Sequence, residues 1–277
     1  MIEKQETNRA LIVEQTGSDA QYKIFEVAIP VLEDNEVLVR LSCTGVCHSD
    51  LAFIRGKYEN LGLGLEGSRA MKELDASYLN DHWCTSQVAF GKDVGGSFQQ
   101  YVTAPGDYLV RIPERIPDQA AAPLLCAGVT MYRALKVSKA KTGDWVVING
   151  AGGGLGHIGV KFAKVMGFRI LAIDIGSKAE FCRQLGAEYF VDVLNTSDPV
   201  DTVKRLTADK VAAVIATASN SQAYHDAARM LGNGGVAQAP RADVIEMLDF
   251  AAQHGVMPEV EVHTFDEVEK VLQDLRA

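Results

Sequence analysis

Hydrophobic and polar positions change their period partway along the chain. Over the first hundred residues the apolar positions fall in short runs, "RALIVEQ", "YKIFEVAI" and "EVLVRLSCTGV", rich in Val and Ile and bounded by Gly, Asp and Pro. Branched residues in such runs between turn formers predict a small β domain. From about residue 117 the spacing turns helical: "PDQAAAPLLCAGVTMYRALKVS" is rich in Ala and Leu and is entered by a proline suited to a helix start. Strand and helix patterns then alternate. "DWVVING", "RILAIDI", "EYFVDV" and "VAAVIATA" read as buried strands; "GHIGVKFAKVMG", "KAEFCRQLG", "PVDTVKRLT" and "SQAYHDAARMLG" read as helices, the first two closed by Gly167 and Gly186. Short continuous apolar strands separated by helices predict a doubly wound parallel sheet, an α/β fold of Rossmann type, beside the smaller β domain. Two more helices, "ADVIEMLDFAAQHG" and "FDEVEKVLQDLR", end the chain, giving expected divisions at 1–117, 118–240 and 241–277.

Composition narrows the partners. Across 277 residues the hydrophobic share is 47% and the charged share 23%, ordinary for a globular protein with two cores. A net charge of −9 with no basic run argues against a nucleic-acid surface. No apolar window is long enough for a membrane span, and "MIEKQETNRA" lacks the apolar centre of a secretory signal. Five scattered cysteines do not make a disulfide framework, so a reducing cytoplasm is expected.

The clearest chemical motif is "VVINGAGGGLGHIGVKFAK", in which Gly150, Gly152, Gly153, Gly154 and Gly156, with Leu155 among them, join a buried strand to a helix. Glycine there permits a tight turn, lets backbone amides approach a pyrophosphate, and lets helix pack on strand. The helix start adds N–H groups and a positive dipole end. Asp174 ends the next strand, twenty residues after Gly154. A carboxylate there accepts hydrogen bonds from ribose hydroxyls and repels a 2′-phosphate, which favours NAD(H); its bland alternative is a strand-end cap. Lys178 reads either as a contact to the same ribose or as a solvated helix-face lysine.

With those residues in view, "VLVRLSCTGVCHSDL", "GGSFQQYV", "APLLCAGVTMYRALK" and the glycine segment resemble a zinc-type medium-chain alcohol dehydrogenase of the fungal and yeast kind. The resemblance implies a GroES-like catalytic domain, NAD(H), an alcohol, aldehyde or enone substrate, and a zinc ion held by Cys, His and Cys as Lewis acid. It puts the first ligand at Cys47 and the third at Cys126. It puts the hydroxyl that takes the alcohol proton at Ser49, a residue near the cofactor phosphates at His48, a ligand-orienting carboxylate at Asp50, and a pyrophosphate-binding arginine at Arg241.

Several positions depart from that pattern. The family's Gly-His-Glu-Gly motif stands here as "GLEG", so Leu65 replaces the histidine ligand and Glu66 is the candidate substitute. "SRAMKELDASYLN" stands in for a much longer stretch, and the four-cysteine lobe is reduced to Cys84, so no structural zinc is expected. Ala52 falls where the proton relay of many members ends in histidine. The last parallel strand is missing after "GNGGVAQAP", and so is a returning C-terminal strand, so the oligomeric state does not carry over. Three readings therefore stay open: an NAD(H)-dependent oxidoreductase; a lyase, isomerase or cyclase in which His48, Asp50, Glu66 and His82 serve as acid and base; and a non-catalytic dinucleotide-binding relic. Cys43 and Cys182 read as packing thiols, Trp145, Tyr132, Met230 and Met247 as core, and His225, His254 and His263 as residues without ligand spacing.

Overall fold

The run "TNRALIVEQ" forms strand β1 (Thr7–Gln15), antiparallel to β2 (Gln21–Ala28), in the computed structural model, which describes residues 7–56, 96–218, 221–231 and 241–275. Strand β3 (Glu36–Arg40) pairs antiparallel with β4 (Tyr101–Pro105), Val37 facing Ala104 and Arg40 facing Tyr101. The expected strand through Val46 ends at Arg40 because its partner leaves. After the Leu41 N–H reaches the Gln100 carbonyl, the segment before β4 pairs with β1, Leu11 N–H donating to the Phe98 carbonyl at 2.8 Å. Asn8, fully buried, clamps that exchange: its Oδ1 accepts from the N–H groups of Gln100 and Tyr101, both at 3.1 Å, and its Nδ2 donates to the Tyr101 carbonyl at 3.0 Å. Residues His48–Ile54 form a short helix, α1, that the strand-rich reading of this half does not include. Leu51 and Ile54 of α1 pack with Leu11, Phe98, Val268 and Leu272 into one core.

The single helix expected after residue 117 is divided. Helix α2 (Asp118–Pro123) passes through a π turn, Leu124–Gly128, into α3 (Val129–Val137). Pro123 has no N–H to continue the α ladder, and a wider turn accommodates that loss.

The alternating region builds a four-stranded parallel sheet ordered β7-β6-β5-β8, from β5 (Trp145–Asn149), β6 (Arg169–Asp174), β7 (Tyr189–Asp192) and β8 (Val211–Ala216). Central β5 is buried along its whole length, which its unbroken apolar run requires. The connecting helices are α4 (Gly154–Val165), α5 (Ala179–Leu185), α6 (Pro199–Thr207) and α7 (Ser221–Met230). Gly167 (φ 80°) and Gly186 (φ 121°) end α4 and α5 in left-handed backbone. The Asp198 side chain caps α6 by accepting the Asp201 N–H at 2.9 Å.

Helix α8 (Arg241–His254) buries Met247, Leu248 and Ala251, and α9 (Val268–Asp274) follows a capping box between Thr264 and Glu267. Tyr132 packs edge-on to Phe162 at 5.5 Å, and Trp145 stacks on Tyr189 at 5.3 Å. The chain divides into two compact units, Met1–Cys126 with Val260–Ala277, and Ala127–Glu259. No helix among the described residues is long and apolar enough to cross a membrane. Among the described residues β8 pairs with β5 alone; the stretch after "ML", where a further strand is expected to be missing, lies outside them.

Candidate functional site

The glycine turn sits at the carboxyl end of β5, where the chain runs outward to β6 and β7 on one side before returning to β8 on the other. That reversal opens a crevice beyond the strand ends. Gly150 takes φ 78°, and a Cβ there would lie 2.7 Å from Thr217 Oγ1. A Cβ on Gly156 would collide with the Gly150 carbonyl oxygen and lie 2.6 Å from Ala151 Cα, so α4 starts against the turn with no room for a side chain. Gly154 differs: a Cβ on it would meet nothing within 4 Å, so its backbone faces open space. Gly153 caps α4 without a side-chain hydrogen bond, and His157 makes the first helical bond back to Gly153. The N–H groups of Gly154, Leu155 and Gly156 thus belong to an open first turn beside that space. The residues needed for tight turn, close approach and packing are distinct, and together they fit a pyrophosphate.

Asp174 is tied into the same structure. Its Oδ2 accepts the Gly152 N–H at 2.7 Å and its Oδ1 the Ile175 N–H at 2.8 Å, so the carboxylate holds the end of β6 to the glycine turn. It therefore does the work of a strand-end cap and also presents an anionic edge. A cleft of about 230 Å³ opens beside it, lined by Asp174, Ile175 and Gly150 and, from α7, Gln222, Asp226 and Met230. The Lys178 stem lies against the Gly152 backbone, where a Cβ would come within 2.8 Å of Lys178 Cβ, and its exposed ammonium has no carboxylate partner among the described residues. Arg241 opens α8, but its side chain lies outside the described residues.

Cys47, Ser49 and Asp50 come together at the start of α1. Cys47 N–H donates to Asp50 Oδ2 at 2.9 Å, Asp50 N–H returns to the Cys47 carbonyl at 3.0 Å, and Cys47 Sγ lies 3.7 Å from Ser49 Oγ. Asp50 is completely buried and orients the Cys47 backbone; His48 is exposed at the helix start. Cys126 lies half-buried within the π turn, and neither thiol is in a disulfide. Glu66, Leu65, His82 and Cys84 lie outside the described residues. Among the described residues no three His, Cys, Asp or Glu gather where a metal could be held. Two thiols are short of the three protein ligands a catalytic zinc needs, so the described donors do not complete that site.

Two residues of the dinucleotide region are absent from the sequence reading. Thr217 Oγ1 donates to the Asn149 carbonyl at 2.8 Å, fastening β8 to the strand that carries the glycines. His157 is buried on α4, with Nδ1 2.9 Å from the Gly153 carbonyl, and its Nε2 accepts the Glu259 N–H at 3.0 Å. Burial first, and the Lys161 charge after it, hold its pKa below the usual histidine value. Its place between two buried helical positions was the available signal. Cys182 is fully buried as a packing thiol, its pKa pushed up to about 11 by that burial.

Comparison with known proteins now adds to this geometry. The family profiles of the alcohol dehydrogenase GroES-like domain and of zinc-binding dehydrogenase match residues 33–114 and 154–238. Alcohol dehydrogenase 2 of Emericella nidulans is 37% identical over 258 residues, 76% of this chain and 70% of that protein. An alcohol dehydrogenase of Geobacillus stearothermophilus is 32% identical over an alignment of 311 residues, 91% of each chain. The crystal structure of the Aeropyrum pernix alcohol dehydrogenase shares the fold, with a TM-score of 0.79 at 24% identity over 96% of both chains. The chain belongs to the zinc-type medium-chain alcohol dehydrogenase family, and at that level it is an alcohol-dehydrogenase-like oxidoreductase.

Proposed function

We propose that this chain binds NAD(H) at Gly150–Gly156 and Asp174 and passes a hydride between it and a small alcohol or carbonyl compound in the cytoplasm. The observation that carries the reading is the Asp174 carboxylate, fixed by the Gly152 and Ile175 N–H groups where β6 ends. Backbone N–H groups of the α4 first turn would hold the pyrophosphate together with Arg241, and Asp174 and Lys178 the adenosine ribose. NAD(H), when bound, supplies or accepts the hydride. Ser49 would hold the proton exchanged at the substrate oxygen, with Asp50 fixing the loop that carries it, and the resemblance gives His48 a role near the cofactor phosphates. Any zinc would rest on Cys47, Cys126 and Glu66, and would polarise the substrate oxygen. No step depends on that ion here, because the described donors do not complete its site.

Titration with NADH and NADPH, followed by turnover of a panel of alcohols, aldehydes and enones, tests the proposal. NADH should bind at least about tenfold more tightly than NADPH, because a carboxylate and a 2′-phosphate repel. Asp174→Ala should narrow that gap, and Ser49→Ala should slow turnover about 100-fold with NADH affinity kept. Preference for NADPH would overturn the cofactor assignment. Tight NADH binding with no turnover of any panel member would overturn hydride transfer.

A further inference from the structure

We propose that Asp226 reads the base of the bound dinucleotide and selects a 6-amino purine over a 6-oxo purine; this rests on the NAD(H) reading above. Asp226 lines the same cleft as Asp174, at the carboxyl ends of the strands. Ile173, Ile175, Val193 and Met230 give that cleft apolar walls, which suit a flat aromatic ring better than a second phosphate. Into them α7 brings one carboxylate. Asp226 is only 9% exposed, and its Oδ1 accepts from Gln222 Nε2 at 2.9 Å, with Arg229 Nη1 at 3.6 Å from the same oxygen. Oδ2 accepts no hydrogen bond from the described residues. Oδ2 is not sealed from solvent, but a ring filling the cleft would strip its water, and a ligand that brings a donor makes up that loss.

Adenine bears its amino group on the six-membered ring, remote from the glycosidic nitrogen. With the ribose at Asp174, that group is the part of the nucleoside that reaches deepest along the cleft, toward α7. It donates to Oδ2. Hypoxanthine carries a carbonyl oxygen at the same place, so two acceptors would face each other, and its neighbouring N1–H reaches Oδ2 only if the ring shifts from the position adenine takes. Asp174 therefore sorts cofactors by the ribose 2′ position and Asp226 by the base.

Fluorescence titration of the 277-residue chain with NADH and with reduced nicotinamide hypoxanthine dinucleotide, which differs only in that group, tests the proposal. Wild type should bind NADH at least about tenfold more tightly, the effect of one hydrogen bond to a buried charge. Asp226→Asn, isosteric and able both to accept and to donate, should bring the two affinities within about twofold. Asp226→Ala, checked for native circular dichroism, should do the same by weakening NADH. Equal affinities in wild type overturn the proposal, as does a preference that survives in Asp226→Asn. Failure of wild type to bind either dinucleotide overturns the NAD(H) reading itself, so the two failures are told apart.

Discussion

The glycine turn after β5 and the cysteine loop before α1 are built in opposite ways. Seven consecutive residues, Gly150 to Gly156, make the first from main-chain geometry, and one distant carboxylate, Asp174, locks it. The second relies on side chains spread from Cys47 to Cys126, each of which must be the right residue in the right place. A main-chain site survives wherever its turn folds, whereas a side-chain site fails when one member changes. By the family resemblance, Leu65 stands where a histidine ligand is expected. Among the described residues the glycine turn and the carboxylate that locks it are both in place, whereas Glu66, the candidate third metal ligand, lies outside them.

The sharpest way to break that contrast is to add one methyl group to the turn. In Gly156→Ala the new Cβ would run into the Gly150 carbonyl and Ala151 Cα, both backbone, so neither can swing aside as a side chain would. The expected cost is about 3 kcal/mol or more of stability, read by urea unfolding. NADH affinity should fall at least about 100-fold, because the displaced turn no longer presents its N–H groups. Cys47→Ser in the other loop should leave NADH affinity within about twofold, since its hydrogen bond to Asp50 and its approach to Ser49 lie at the α1 start, away from the glycine turn in sequence. Equal loss in both variants would mean the two regions are not independent.

Asn8 offers an intermediate test, from the unit that carries the cysteines. Replacing it with Ala removes the Asn8 acceptor from the Tyr101 and Gln100 N–H groups inside a buried strand crossing, the Gln100 N–H keeping the Arg9 carbonyl at 3.1 Å. The expected destabilisation is about 2 kcal/mol in chemical unfolding. Asn8→Asp should cost at least as much: Oδ1 still accepts, but a buried carboxylate would set its second oxygen against the Tyr101 carbonyl and Gln99 Oε1, to which Asn8 Nδ2 now donates. A loss in Asn8→Ala below about 0.5 kcal/mol would show that water replaces the clamp.

Legibility in the sequence follows the same division. The alternating half is readable because its strands are short apolar runs and the turns after β5, α4 and α5 are punctuated by glycine, so Gly150, Gly167 and Gly186 all stand where positive φ is needed; the turn after α6 is not, Ala208 and Asp209 taking positive φ there. Asp174 is readable by its spacing from the glycines, though its bonds to Gly152 and Ile175 are not. The N-terminal half is less readable because its strands end where a partner departs. Nothing within "LSCTGV" says that Gln100 and Phe98 turn to β1 after Leu41. The π turn at Leu124–Gly128 depends on Pro123 meeting a helical ladder, a conflict that composition alone reads as one helix. Asp226 and Asn8 were missed for one reason: each is polar on an otherwise apolar face, and its meaning lies in a partner far along the chain or in a cleft.

His157 gives the smallest effect and tests how tightly the turn's helix is held. Its Nε2 accepts the Glu259 N–H, so the neutral ring carries its proton on Nδ1 and donates it to the Gly153 carbonyl. Protonation would set an N–H against the Glu259 N–H, and burial with the Lys161 charge adds to that penalty, so the folded pKa lies below the ordinary 6.5. The sign follows directly. Between the folded and unfolded values the unfolded chain binds more protons, so stability rises with pH in that window. The contribution is complete above about pH 6.5 and is lost as pH falls through the folded pKa. Glu259, held low by its Lys161 hydrogen bond, stays charged through that window and softens the loss without reversing it. Subtracting the pH dependence of a His157→Gln variant from that of wild type isolates this group from the other histidines. The difference should slope upward with pH by no more than about 1.4 kcal/mol per pH unit. A slope of the opposite sign would mean that the charged ring is favoured by Glu259, and that α4 is fastened by an ion pair and not by the neutral tautomer.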